Sequence, residues 1–481
     1  MKLKKLLKNI PYVEVRGSKE VEVTGICNNS ALVSPGNLFI AKKGLTSDGS
    51  RFIPDAIAAG AVAVVTDIFD PFLSHIVQII HPKPQEIEGF LAAEYYGHPS
   101  DKLFLIGITG TSGKTTTSYL TKFLLDQLHE RCGLIGTIEW IVGDHYFPAT
   151  ATTPDVITCN KLLHEMKDNH CTTAIMEVSS HALEQGRVQG LDYDIAVFTN
   201  LSQDHLDYHS TMQEYAEAKQ KLFTPLSPEA TAIVNRDSPW ASSMVAATEA
   251  EVLTYGMDAA SDLQAKCVAA TTGGTHFSVA HQGKEVPFFT KLIGRHNVYN
   301  CLVSIAIALC KGYSLEVLPP ILERFTQVPG RLEKVDNPKN LHIFVDYSHK
   351  EDALRNVLHT LKGLTKGKLV CLFGCGGNRD KGKRPKMGLA AEELSDLVVV
   401  TTDNPRNEDP QAIIHEILQG MQHPEKALVE VDRRRAIELA IRDLSQEDVL
   451  LIAGKGHETY QIFSDRTVQF DDRLVARAFC K

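Results

Sequence analysis

Lys102-Leu-Phe-Leu-Ile-Gly-Ile-Thr109, followed without a break by Gly110-Thr111-Ser112-Gly113-Lys114-Thr115-Thr116, sets the fold class of the central part of this chain. The first segment is a continuous apolar run, the pattern of a parallel strand buried on both faces. Beyond the second, Leu120, Phe123, Leu124 and Leu128 recur at helical spacing. A glycine-rich turn between strand and helix lets backbone N–H groups close around phosphate oxygens, and the helix N-terminus favours negative charge. Lys114 would reach the β- and γ-phosphates and the Thr115 hydroxyl would ligate Mg²⁺. The strict phosphate-loop pattern wants a glycine five residues before Gly113, where this chain has Ile108; the shortened form holds.

Two further strands are expected in the same sheet. Thr172–Val178 runs into Glu177-Val-Ser179-Ser180-His181, and a carboxylate at a strand's carboxyl end beside a phosphate loop is where a metal ligand should sit. Ile195–Thr199 runs into Asn200-Leu-Ser-Gln-Asp204-His205-Leu-Asp207-Tyr-His209, which offers two histidines and two aspartates. A helix follows with a capping box at Thr211 and Glu214, and its inner face carries Tyr215, Ala218, Leu222 and Lys219. A lysine rarely points inward without a partner. Either a buried salt bridge holds Lys219, or its amine reacts with CO₂ to form a metal-binding carbamate.

A length of 481 residues calls for several domains. With 43% apolar and 23% charged residues the composition is that of a globular protein, and 50 basic against 59 acidic residues give a net charge of −9. That balance gives no field suited to nucleic acid or an anionic membrane. The basic clusters Lys381–Lys386 and Arg433–Arg435 are local. Ten cysteines without a Cys-x-x-Cys pair fit neither a zinc site nor a disulfide framework. No signal-like N-terminus and no run of about 20 apolar residues is found, so a cytoplasmic protein is expected. Residues 1–99 mix short strands such as Val21–Ile26, Leu38–Ala41 and Ala61–Thr66 with turns, and Tyr96–Ser100 reads as a linker. Residues 100–330 form the phosphate-loop block. Residues 331–481 alternate strands (Ile343–Tyr347, Leu369–Phe373, Leu397–Thr402, Val449–Ala453) with helices, which argues for a parallel sheet with ligands at its carboxyl edge.

In this order the motifs resemble the Mur ligase family: Gly110–Thr116, Glu177–His181, Thr199–His205, Lys219, Leu292-Ile-Gly-Arg-His-Asn297-Val-Tyr-Asn300, Gly330-Arg331 and Asp346-Tyr-Ser-His349. The resemblance implies an α/β protein of three domains: an N-terminal domain for a UDP-muramoyl substrate, a central P-loop ATPase and a C-terminal Rossmann-like, amino-acid-binding domain. It implies ATP as co-substrate, held by Gly110, Thr111, Ser112, Gly113, Lys114, Thr115 and Thr116 with Asn297, Arg331 and Asp346. By the same resemblance Lys219 is expected to become a CO₂-derived N6-carboxylysine, and Thr115, Glu177, His205 and Lys219 are expected to bind Mg²⁺. Lys114, Lys219, His205 and Glu177 form the catalytic set, and His181, His205 and His349 are candidates for proton handling. Ser30, Thr152, Thr153, Ser179, Gln185 and Arg187 match the residues by which some members hold UDP-N-acetylmuramoyl-L-alanyl-D-glutamate. The chain departs from the family at Asn29-Ser30-Ala31, where Asp-Ser-Arg is common, at Asn378, where aspartate is usual, and at Glu351, where a proline is usual.

The loops after three C-terminal strands carry Asn378-Arg379-Asp380, Asp403-Asn404-Pro405-Arg406 and Gly454-Lys-Gly-His457-Glu458. meso-Diaminopimelate resembles lysine with a carboxylate added at its far end. Arg406 suits bidentate pairing with that carboxylate, Arg379 offers a second cation, Asn404 a neutral contact and Glu458 an acceptor for the ammonium. Asp403, Pro405 and Gly454 complete the expected pocket, and by resemblance Asp-Asn-Pro-Arg is the signature of the diaminopimelate-adding members. The expected reaction is ATP-dependent peptide-bond formation at the D-glutamyl γ-carboxylate through an acyl phosphate, in peptidoglycan precursor synthesis, by a monomer with no nucleic-acid or membrane partner. Domain closure should keep water from the acyl phosphate. The alternatives are a lysine-adding or other Mur ligase, a folylpolyglutamate synthetase, a P-loop NTPase without ligase activity and an inactive homologue that binds uridine nucleotides.

Overall fold

The computed structural model describes residues 1–481 except Tyr12, Leu45, Thr46, Leu206 and Asp207, so the Asp207 candidate lies outside the described residues. Two compact units are present: Met1–Gln264 with Leu302–Ser314, and Ala265–Cys301 with Leu315–Lys481. Among the described residues no helix is long and apolar enough to cross a membrane.

The first unit holds a five-stranded sheet in the order Glu14–Arg16, Val77–Ile80, Ala63–Thr66, Asn37–Ile40 and Gly25–Cys27. All neighbours are parallel except the first pair. The strand expected over Val21–Ile26 is shorter. Leu3 N–H donates to the Val21 carbonyl and Val23 N–H to the Met1 carbonyl, so the N-terminal segment takes up the hydrogen bonds of its first half. The expected linker begins at Gly97, whose φ of 73° ends the helix Pro84–Tyr96 in a left-handed cap.

A larger sheet in the same unit runs His145–Pro148, Glu139–Val142, Cys132–Ile135, Thr173–Glu177, Phe104–Thr109, Ile195–Phe198, Thr231–Asn235 and Glu251–Gly256. The strand Phe104–Thr109 is central and buried along Leu105–Thr109. Its neighbours are parallel, with Glu177 opposite Ile108 and Phe198 opposite Thr109. That register brings the ends of three strands to one edge, where the helix Lys114–Gln127 starts. Leu120 and Leu124 are fully buried on it, as the periodicity requires.

The second unit contains a sheet in the order Glu333–Lys334, His342–Asp346, Val449–Ala453, Leu369–Phe373, Leu397–Val400 and Leu428–Val429, parallel except for the first pair. Successive residues alternate between two cores: Phe344, Leu451 and Cys371 face one, Ile343, Leu450 and Leu372 the other. Both faces are covered, hence the uninterrupted apolar runs. Arg433 and Asp472, each fully buried, form an ion pair at 2.7 Å. The same guanidinium donates to the carbonyls of Thr402 (3.4 Å) and Ala453 (3.2 Å), which close two of the strand ends.

Arg433→Ala would leave the Asp472 carboxylate buried and unpaired, and urea unfolding should show a loss of about 3–5 kcal/mol. A loss below about 1 kcal/mol would mean that water reaches Asp472. Two imidazoles of the second unit add a pH dependence. Burial first, then Lys383 for His349 and Arg331 for His457, lowers each from 6.5 to about 4. Folding therefore keeps both neutral while the unfolded chain binds protons below about pH 6.5, so stability is full above that pH and declines towards pH 4. Urea melts should follow this slope, and His457→Gln should flatten it.

Candidate functional site

The phosphate loop is built against the next strand. Gly110, at φ 149°, lies where a Cβ would meet Thr199 Oγ1 at 1.9 Å, so only glycine fits. Thr111 N–H donates to the Asn200 carbonyl (2.9 Å) and Ser112 N–H to Asn200 Oδ1 (3.0 Å), while Thr199 Oγ1 donates to the Ser112 carbonyl (2.7 Å). Gly113, at φ 88°, caps the helix that begins at Lys114. Lys114 Nζ donates to the carbonyls of Gly110 (2.7 Å) and Thr111 (3.1 Å).

Glu177 is fully buried beside this loop. Thr115 Oγ1 and Thr137 Oγ1 each donate to Oε2 at 2.9 Å, and Thr137 N–H donates to Oε1 at 3.0 Å. Among the described residues no lysine, arginine or histidine reaches it. A carboxylate held in the core by neutral donors alone suits a metal cation next to Thr115. Thr137 was missed by sequence reading, because a threonine in a turn after a strand carries no signal of its own.

The expected nucleotide-sugar residues meet on the other side of Glu177. Thr153 Oγ1 donates to the Glu177 carbonyl (2.7 Å) and accepts from Ser179 N–H (3.1 Å). Arg187 donates to the Thr153 carbonyl (2.9 Å) and to Gln185 Oε1 (2.6 Å), and Thr152 Oγ1 lies 3.1 Å from Thr137 Oγ1. Gln185, Arg187 and Pro154 line a cavity of about 1580 Å³ together with Lys42, Tyr208 and His209. Ser30 is not among the residues lining it. It begins a short 3-10 helix capped by Asn29, whose side chain accepts from Ala31 N–H.

Lys219 is 1% exposed and points its Nζ over the Tyr215 ring, 4.5 Å from the centroid. Among the described residues no carboxylate forms the salt bridge that is one of the two expectations for Lys219. Burial, and then the nearby Lys114, push its ammonium well below the ordinary lysine range against a smaller pull from Asp204. Both effects disfavour the charged ammonium and so favour the neutral amine, the form that reacts with CO₂; a carbamate there would set an anion, not a second cation, beside Lys114. The Tyr215 hydroxyl lies 3.2 Å from Thr111 Oγ1, which ties this helix to the phosphate loop. His205 adopts a left-handed φ of 54° and packs on His181 at 4.8 Å and Tyr215 at 6.1 Å. His209 stacks on Tyr215 and sits 3.0 Å from Ser180 Oγ. Among the described residues no three His, Cys, Asp or Glu side chains form a ready-made metal cage. Thr115, Glu177, His205 and Lys219 are instead four separate donors at one sheet edge.

Asn297, Arg331 and Asp346 belong to the second unit. Asn297 Nδ2 donates to the Ile293 carbonyl (2.9 Å), and the Arg331 guanidinium covers the Tyr347 ring at 5.0 Å. Asp346 accepts from Leu332 N–H (2.7 Å) and from Ser348 Oγ, the serine of the Asp346–His349 motif. Glu351, where the family has proline, starts the helix Glu351–Lys362 and pairs with Arg355 at 3.0 Å.

At the carboxyl edge of that unit's sheet, Asn404 Nδ2 donates to Glu458 Oε2 (2.8 Å). Arg406 is half-buried, at a left-handed φ of 51°, with one guanidinium nitrogen on the Gly377 carbonyl (2.8 Å). Arg379 is exposed, and its side chain flanks Gly376 as that of Arg406 does. Gly454, at φ 110°, has Asp403 where a Cβ would project (2.8 Å). Pro405 is buried. Asn378 is a turn residue at φ 53° whose Oδ1 accepts from Asn407 N–H (3.0 Å).

Three segments match the models of the Mur ligase family, catalytic domain (residues 22–92), the Mur ligase middle domain (108–308) and the Mur ligase, glutamate ligase domain (330–456). A UDP-N-acetylmuramoyl-L-alanyl-D-glutamate--2,6-diaminopimelate ligase of Geobacillus thermodenitrificans (strain NG80-2) is 41% identical over 488 residues, covering 100% of this chain and 99% of that one. A protein of the same name from Chlamydia abortus (strain DSM 27085 / S26/3) is 43% identical over 478 residues, covering 99% and 98%. Among solved structures, a ligase of that name superposes with a TM-score of 0.73 at 31% identity, covering 100% of this chain and 98% of the other. A Mycobacterium tuberculosis folylpolyglutamate synthase shares the fold at a TM-score of 0.62 and 20% identity, over 76% of this chain and 91% of its own. With full-length identity of this order, the chain belongs to the Mur ligase family, whose members are ATP-dependent ligases of peptidoglycan precursor synthesis.

Proposed function

We propose that this chain joins meso-2,6-diaminopimelate to the D-glutamyl γ-carboxyl of UDP-N-acetylmuramoyl-L-alanyl-D-glutamate, with ATP converted to ADP and phosphate, as a cytoplasmic monomer. The observation that carries the choice of amino acid is the grouping of Arg406, Asn404 and Glu458 at one sheet edge, a cation and an anion spaced by an amide. A zwitterionic side-chain end needs both charges, and lysine has no carboxylate for Arg406. Residues 1–99 are assigned to the uridine side of the substrate, 100–330 to ATP and 331–481 to the amino acid.

In the proposed reaction the γ-carboxylate oxygen attacks the γ-phosphorus of ATP, and the bond to the ADP oxygen breaks. The amine of diaminopimelate then attacks the acyl carbon, loses a proton and expels phosphate. Lys114 and the loop N–H groups orient and neutralise the triphosphate. Arg187, with Thr153, Ser179 and Gln185, holds the substrate on the far side of Glu177. Thr115, Glu177, His205 and the carbamate of Lys219 would hold Mg²⁺, which supplies charge stabilisation when bound. Asn297, Arg331 and Asp346 complete the ATP contacts.

Phosphate release from ATP should require the UDP-muramoyl dipeptide and meso-diaminopimelate, with L-lysine and no amino acid near background. Equal release with lysine would overturn the choice of amino acid, and release indifferent to both substrates would overturn the ligase reading. Arg406→Met should raise the KM for diaminopimelate about 10- to 100-fold, the loss of a charge-assisted carboxylate contact. Lys219→Met should lower kcat about a hundredfold. Carbon-13 bicarbonate should give a carbamate signal in the parent chain that Lys219→Met lacks; a signal in neither would remove the carbamate from the scheme.

A further inference from the structure

Lys455 is fully buried between the two neutral or anionic groups of the proposed amino-acid pocket. Its Nζ lies 3.1 Å from Asn404 Oδ1 and 3.2 Å from Glu458 Oε2, and its third direction is filled by the Tyr460 ring at 5.6 Å. We infer that Lys455 is a positioning residue that sets the polarity of this pocket and so its preference for a zwitterionic over a merely cationic side chain. The inference rests on the proposed function and deepens it.

The geometry fixes which atoms of Asn404 can face a ligand. Asn404 Oδ1 accepts from Lys455 Nζ and also from Ile462 N–H at 3.1 Å, and Nδ2 donates to Glu458 Oε2 at 2.8 Å. Flipping the amide would turn its NH₂ group towards two donors and lose all three contacts. The amide therefore keeps one N–H for a ligand and offers it no acceptor. Such a group binds a carboxylate and does not bind an ammonium. Glu458 shares Oε2 between Asn404 and Lys455, and among the described residues its Oε1 accepts nothing, which leaves one oxygen for an ammonium.

Charge completes the argument. Lys455 beside Glu458 balances that carboxylate, so an incoming ammonium gains less from it than from a bare anion. The far carboxylate of diaminopimelate meets Arg406 and the Asn404 N–H, neither of which lysine can use. Without Lys455 the pocket becomes more anionic and the amide can turn, and both changes favour lysine.

The loop keeps Lys455 in place. Gly454 and Gly456 on either side have φ of 110° and 55°, and a Cβ at Gly456 would press on Tyr347 Cβ at 2.7 Å. Glu458 N–H donates to the Lys455 carbonyl (3.0 Å), closing the turn that sets the two side chains three residues apart side by side. Sequence reading passed over Lys455, since a lysine between glycines in a loop is ordinarily solvated.

The test compares kcat and KM for meso-diaminopimelate, L-lysine, ATP and the UDP-muramoyl dipeptide in the parent chain, Lys455→Met and Lys455→Gln. Glutamine keeps an N–H for Asn404 Oδ1, so it provides a foldable variant should the methionine chain fail to fold. The expected result is a diaminopimelate-over-lysine ratio of kcat/KM reduced about tenfold or more in both variants. The KM for diaminopimelate should rise most in Lys455→Met and be partly restored in Lys455→Gln, with the KM for ATP unchanged within about twofold. A variant that lowers kcat/KM equally for both amino acids would make Lys455 a structural ion pair only and overturn the inference, as would an unchanged ratio. If the parent chain itself does not use diaminopimelate, the proposed function fails first, and that is visible before any variant is made.

Discussion

Everything in the first unit depends on one buried carboxylate and the strand register that delivers it. Glu177 is the last residue of its strand and lies opposite Ile108, two residues before the phosphate loop begins. A one-residue slip would turn its side chain to the other face of the sheet. In the observed register it takes hydrogen bonds from Thr115 on the phosphate-loop helix and Thr137 after a third strand, while its carbonyl anchors Thr153. A single residue thus joins the phosphate loop with the loop proposed for the nucleotide sugar. Burying an anion among neutral donors is costly. That cost is what the proposed Mg²⁺ beside this carboxylate would offset.

The opposite sign of the same logic applies at Lys219. Here a cation is withdrawn from water with an aromatic face as its neighbour and Lys114 repelling it. The structure resolves the conflict by favouring the neutral amine. Glu177 and Lys219 are both costly as charged groups alone, and the proposed metal beside Glu177 and carbamate on Lys219 would lower both costs.

Much of this was legible in the sequence because the relevant groups sit at strand ends, and strand ends can be found from apolar runs. Glu177 and the Asp403–Arg406 loop lie at or just after such strand ends, whereas Thr153 and Arg187 come only from the family resemblance. Thr137 and Lys455 did not announce themselves. Each acts through a hydrogen bond or ring contact to a residue far along the chain, and neither belongs to a residue type that burial or periodicity marks as special. The strand expected at Val21–Ile26 failed for a related reason: its first residues bond the N-terminal segment, a pairing no local pattern encodes. Ser30, expected as a substrate contact, begins a capped 3-10 turn and is not among the residues lining the cavity. Glu351, where a proline is usual in the family, supplies a helix start and an ion pair with Arg355.

The proposed amino-acid site shows how a parallel sheet can hold strained loops. Arg406 and Asn378 both sit at left-handed φ, which non-glycine residues enter at some cost. Arg406 N–H is tied to the Ile462 carbonyl, and Asn378 N–H to Glu408. Glu408 in turn is gripped by Arg384, a fully buried guanidinium that also pairs with Glu416. Beneath the neighbouring loops, Arg433 fixes the carbonyls of Thr402 and Ala453, the residues just before Asp403 and Gly454. Two buried arginines therefore hold the frame from below, one under each side of the pocket, and neither needs to touch substrate. The strain at Arg406 follows from that frame: with both flanking segments fixed, the backbone between them turns sharply, and the guanidinium is presented at the carboxyl edge instead of folding into solvent.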